Sequence, residues 1–262
     1  MANDIKPKSF IGNFRPRPYI FQMSSYQRAQ QPPSTWLFVA MAITVGLWQL
    51  PFGLYILYPF TILSTWFHEM GHGLTAMLLG GEFITLVLLP NGSGYALTTD
   101  TQLGDIGRAL VSAGGPLGPA FAGAAFIYAS KSAKATRLGL IALAIIMWVS
   151  SLIWLRSLTG LIIIPAIGVA LVVIANTGPQ WFRAFTVQFL GLQAFISMFL
   201  QWDYLFTHYA YLGNERIVSD TGQMAEALGP PHWFWAGVIV AIAGAILLSA
   251  LKAAYGNEKR RY

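Results

Sequence analysis

From Trp36 to Leu251 the sequence is a succession of apolar stretches with short interruptions, and this decides the solvent in which the chain folds. Of its 262 residues 10% are charged and 55% hydrophobic, whereas a soluble domain carries roughly 25% charged residues. A surface so poor in charge cannot face water on all sides, so most of the chain must be solvated by lipid. A hydrocarbon core about 30 Å thick takes about 20 residues of helix to cross. Stretches of that kind lie at 36–57, 59–80, 106–129, 138–155, 158–176, 184–206 and 233–252. The expected fold is an all-α polytopic membrane protein with six to seven transmembrane helices. The transmembrane domain is expected over 35–254, between a basic, proline-containing tail at 1–34 and a basic tail at 255–262.

The few charges report orientation. Lys6, Lys8, Arg15, Arg17 and Arg28 face a single acid, Asp4, in the first tail, and Lys259-Arg260-Arg261 nearly end the chain. The loop with Lys131, Lys134 and Arg137 is also basic, while 207–232 is acidic, with Glu215, Asp220 and Glu226 against Arg216. Basic segments beside spans stay on the cytoplasmic side and attract lipid headgroups. Six crossings put both tails and the 131–137 loop on that side; seven separate the tails. Pro51 and Gly53 divide 36–57 and Pro59 closes it, so this segment is expected to be broken and not to cross. The first tail lacks the apolar core and small-residue cleavage site of a signal peptide. A short chain without a clear targeting segment leans towards a bacterial plasma membrane. The basic residues form no helical stripe, so no nucleic-acid partner is expected.

The segment 82–103 differs in kind. Phe83 to Leu89 is β-prone, Asn91-Gly92-Ser93-Gly94 is a turn signal, and Tyr95 to Thr99 can return as a second strand, which predicts a β-hairpin. Asn91-Gly92-Ser93 also completes a glycosylation sequon, read here as turn chemistry. In 106–129, Gly114, Gly118 and Ala122 recur every four residues, giving a face on which another helix backbone can approach closely. Pro116 and Pro119 predict local distortion there.

The chemistry concentrates in His68-Glu69-Met70-Gly71-His72. Histidines four apart stand on one helix face, one turn apart, and can reach one metal. Glu69, next to the first of them, can accept a proton from a metal-bound water. The motif lies near the middle of an apolar stretch, where ionisable residues are costly. Three of them within five residues are hard to explain as packing, although a buried polar cluster without metal is the plain alternative. There is no cysteine, so disulfides and thiol nucleophiles are excluded and His, Asp or Glu must supply any ligand. A catalytic zinc needs a third protein ligand. Of the ten acids only Glu69 and Asp203 fall well inside apolar stretches, and a metal would neutralise a buried carboxylate, so Asp203 is the expected third ligand. Asp220 is its rival, though it could equally cap a helix over 221–228; His208 is a weaker one.

The chain resembles the site-2 protease family of intramembrane zinc metalloproteases, in the compact form without a PDZ domain. The matching pieces run in order: Phe67-His68-Glu69-Met70-Gly71-His72-Gly73, Gly80-Gly81, the β-prone segment with Asn91 to Gly94, Gly114-Gly115-Pro116-Leu117-Gly118-Pro119, and an aspartate on a later helix. The resemblance covers about 50–235 and implies that His68 and His72 bind Zn2+, that Glu69 is the general base and that Asp203 completes the site. The better-known members follow their aspartate with glycine, whereas Asp203 precedes Tyr204; compact relatives also carry a pair like Ser219-Asp220. The implied activity is hydrolysis of peptide bonds in or near the membrane segments of a transmembrane protein substrate.

Other classes make different demands. An inactive scaffold that binds transmembrane partners places no demand on Glu69. A metal transporter needs ligands spread along a crossing path, and a prenyl-protein protease needs a glutamate on a later apolar helix; the sequence has neither.

Overall fold

The computed structural model describes residues 35–99, 101–212 and 215–255. The expected 1–34 tail, and all but Tyr255 of the expected 255–262 tail, lie outside the described residues.

Two helices open the described chain, α1 (Thr35–Trp48) and α2 (Gly53–Leu78). The break between them falls at 49–52, where the N–H groups of Gln49 and Leu50 close tight turns onto Gly46 and Leu47. Pro59, expected to close the first stretch, instead lies inside α2; one forgone backbone hydrogen bond is tolerable where neighbouring helices support the segment. The described α1 has 14 residues, about 21 Å at ~1.5 Å per residue.

The expected hairpin follows, with β1 (Glu82–Leu88) antiparallel to β2 (Gly94–Thr99). Its turn is held against α2, where Thr65 Oγ1 donates to the Gly92 carbonyl at 2.6 Å and the Tyr58 hydroxyl to the Pro90 carbonyl at 2.8 Å. On its far side β1 meets the chain at Trp154–Arg156: Leu86 N–H donates to the Trp154 carbonyl and Arg156 N–H to the Leu86 carbonyl, both at 2.9 Å. That side of β1 is closed, so the open edge belongs to β2.

Then come α3 (Gly104–Ala129), α4 (Ala133–Ile153), α5 (Leu158–Thr177), α6 (Gln180–Leu200) and a single turn, α7 (Trp202–Leu205). A second hairpin, β3 (Tyr209–Leu212) with β4 (Glu215–Val218), precedes the short helix α8 (Asp220–Leu228) and the final α9 (His232–Tyr255). Among the described residues α3, α4, α5 and α9 are long and apolar enough to cross a membrane, fewer than the six to seven crossings expected. The helices α2 and α6 are as long, with 26 and 21 residues, but carry polar side chains along their inward faces.

The hub is α3, which packs against α2, α6, α8 and α9. Its small residues allow this: a Cβ on Gly114 would strike Thr75 and the Gly71 carbonyl, and one on Gly118 the Phe67 carbonyl. The helix runs unbroken through Pro116 and Pro119. One apolar core gathers Trp66, Leu86, Leu140, Met147 and Ile164; a second gathers Ala120, Phe195, Met224 and Ile239. The motif face of α2 looks towards α3 and the start of α8.

Candidate metal centre

His68 and His72 project from one face of α2 with ring centroids 4.9 Å apart and their Nε2 atoms 3.2 Å apart. His68 and Glu69 are buried. The Nδ1 of His72 lies 2.8 Å from the Val111 carbonyl on α3. A ring N–H given to that carbonyl leaves Nε2 as a lone pair, the tautomer that a metal ligand requires.

The third group is Asp220, the first residue of α8. Its Oδ2 lies 3.0 Å from His68 Nε2 and its Oδ1 3.3 Å from His72 Nε2. One ligand atom from each of the three lies within 4.8 Å of the others. Asp220 is 3% exposed, yet its buried Oδ2 accepts no aligned hydrogen bond. Burial alone would raise the Asp220 carboxyl, but the facing His72 and His68 outweigh it and hold the group below the usual carboxylate range. Two imidazole nitrogens and a carboxylate converge here, a donor set that suits a divalent cation such as zinc. Room for one is left by Gly115, on which a Cβ would collide with the Nε2 atoms of both histidines.

Asp220 is held by its neighbours. The cap of α8 is Ser219, whose Oγ accepts from the Gly222 N–H at 3.0 Å and donates to the Thr207 carbonyl. Its N–H donates to the His208 carbonyl at 3.0 Å, and Thr221 Oγ1 donates to the Leu205 carbonyl at 2.8 Å. With Ser219 as the cap, the Asp220 carboxylate is free to face the histidines. Ser112 Oγ on α3 then ties α8 down through Gln223 Oε1 at 3.2 Å.

Asp203, the expected third ligand, is not in this group. It is exposed on α7, and the metal-competent cluster among the described residues is His68, His72 and Asp220. The apolar stretch 184–206 reads as one buried span, but α6 stops at Leu200 and the single turn after it directs Asp203 outward and Tyr204 inward. His208 pairs instead with Glu226 at 3.2 Å. Tyr204, which sequence reasoning did not reach, stands 6.2 Å from the His68 ring. The Ser219-Asp220 pair ahead of a helix-forming run was the available signal for the place of Asp220.

Glu69 opens onto a cavity of about 370 Å³ whose polar walls include Thr61, Ser64, Gln201 and Tyr204. The open edge of β2 reaches the same glutamate. Leu86 spends its N–H and C=O on Trp154 and Arg156, so its cross-strand partner Ala96 turns its own backbone groups outward. The Ala96 N–H faces the Glu69 carboxylate.

The family model described as Peptidase M50B-like matches residues 36–250. No curated protein and no solved structure matches significantly.

Proposed function

Since the chain belongs to the Peptidase M50B-like family, we propose that it is a zinc-dependent endopeptidase acting within the membrane on peptide bonds in or near the transmembrane segments of other proteins. The observation that carries the reading is the convergence of His68, His72 and Asp220 beside a buried Glu69 that opens onto a polar cavity. In this reading α2 and α6 cross the bilayer with α3, α4, α5 and α9, giving six crossings, and the polar faces of α2 and α6 are shielded from lipid by each other and by α3. As a multi-pass protein it would act from within a membrane.

His68, His72 and Asp220 would hold the zinc, which supplies Lewis-acid chemistry at that point when bound. The Glu69 carboxylate takes a proton from the attacking water as the water oxygen adds to the scissile carbonyl carbon. It then returns that proton to the leaving nitrogen as the C–N bond breaks. A transmembrane helix hides its backbone in internal hydrogen bonds, so the substrate must be unwound where it is cut. The outward C=O of Ala96 offers such a segment an edge to pair with, beside Glu69.

The test is zinc content and proteolysis of the detergent-purified protein, wild type beside Glu69→Gln. About one zinc per chain in both, with cleavage by the wild type alone, is the expected result. A well-folded wild type that takes up no zinc when supplied with it would sink the protease reading and leave a scaffold for transmembrane partners.

A further inference from the structure

An unwound substrate segment has two backbone edges, and β2 satisfies only one. Each N–H or C=O left unpaired on the other edge is costly away from water, so another wall of the cavity must supply partners. That wall belongs to α6 and its junction with α7. Gln193, Ser197 and Gln201 recur every four residues there, on one face, and all three line the cavity with His68 and Glu69. Two of them are already engaged: Gln193 Nε2 donates to Thr44 Oγ1 at 3.2 Å, and Ser197 Oγ to the Ala194 carbonyl at 2.8 Å. Gln201 sits at the cap position of α7, and its side chain makes no capping hydrogen bond. Three residues on, Tyr204 faces the same cavity, and both side chains also line the recess between His68 and Pro116.

We propose, resting on the endopeptidase reading, that the Gln201 amide and the Tyr204 hydroxyl are the substrate-holding wall, binding the free backbone edge of the unwound segment opposite β2. A glutamine amide carries both a donor and an acceptor and so matches a peptide unit. The phenol donates to a substrate carbonyl. Such a wall reads the backbone rather than side chains, so the preferred substrate class is any segment whose peptide groups are already free of helical hydrogen bonds.

The probe is fluorescein-labelled β-casein, an unfolded chain, offered to zinc-loaded protein in detergent. Binding is measured by anisotropy in the non-cleaving Glu69→Gln background and cleavage in the otherwise wild-type enzyme. Gln201→Leu and Tyr204→Phe are each expected to weaken binding about tenfold and to raise KM by the same factor at constant kcat, with zinc content unchanged. Gln201→Asn, which keeps an amide, is expected to recover part of the loss. If Gln201→Leu does not fold, Gln201→Glu keeps the size, removes the donor and is expected to show the same tenfold loss. Unchanged binding and KM would overturn the wall while leaving the protease reading intact. Loss of zinc in either variant would overturn it in favour of a role through Asp220. Zinc-loaded wild type that neither binds nor cuts casein or a transmembrane peptide would overturn both readings.

Discussion

Two histidines of the site share one helix of 26 residues, while the carboxylate that faces them starts a helix of nine, 148 residues further along the chain from His72 (220 − 72). The first pair is set by helical geometry: spacing of four fixes both rings on one face whatever the surroundings. Asp220 has no such guarantee. Its position is the sum of a cap, three hydrogen bonds given by Ser219 and Thr221 to the carbonyls of Leu205, Thr207 and His208, and one side-chain tie to α3. One half of the centre is local and rigid by construction, and the other is assembled from tertiary contacts.

The largest expected effect tests whether the two halves are equal partners. His68→Ala and Asp220→Ala are both expected to lose stoichiometric zinc and to lower activity by at least about 10³-fold, as loss of a protein ligand from a three-ligand site should. Asp203→Ala is expected to keep both. Zinc loss in Asp203→Ala with retention in Asp220→Ala, by metal analysis of the purified proteins, would reverse the assignment.

Glu69→Gln comes next. It keeps the size of the side chain and removes the base, so kcat is expected to fall by about 10²–10⁴-fold while zinc stays bound. A variant that loses zinc would make Glu69 part of the metal's support rather than a base.

Gly115→Ala sharpens the comparison from the third side of the site. The added Cβ would occupy the ground where both Nε2 atoms converge, and neither backbone can retreat, because α2 and α3 already touch at Gly71 and Gly114. Overpacking of this kind costs about 1–3 kcal/mol. It is expected to appear as weaker zinc binding in a competition titration, with the helical content unchanged by circular dichroism.

The same contrast decides what could be read from the sequence. His68, Glu69 and His72 were legible because their relation is a spacing, and the β1–β2 hairpin because the β-prone run and turn residues lie side by side. The placement of Asp220 beside them was not, because local apolarity does not report burial. Asp203 lies among Phe199, Leu200, Trp202, Leu205 and Phe206 and looks buried, but helix α6 ends before it. Asp220 lies in a polar segment and looks solvated, but the fold closes over it. Pro59 misled for a similar reason: a proline reads as a boundary, whereas the break fell at 49–52. The approach of Asp220 to the histidines is thus a property of packing between α3, α7 and α8, and only the helix that starts at 220 had a local signature.

The smallest effect isolates the assembled half. Ser219 is fully buried, and its hydroxyl both caps α8 and grips the Thr207 carbonyl. Ser219→Ala removes both bonds without touching a ligand, at a cost of about 0.5–2 kcal/mol. Because Asp220 is the next residue, part of that loss is expected as weaker zinc affinity, of the order of tenfold, as for other groups that orient metal ligands. The matched control is Thr65→Ala, which removes the bond from α2 to the hairpin turn at Gly92. It is expected to lower thermal stability without changing zinc affinity, since helical spacing alone still fixes His68 and His72. Equal zinc affinity in the two variants would mean that the carboxylate is held as firmly as the histidines and that the division between a local and an assembled half is wrong.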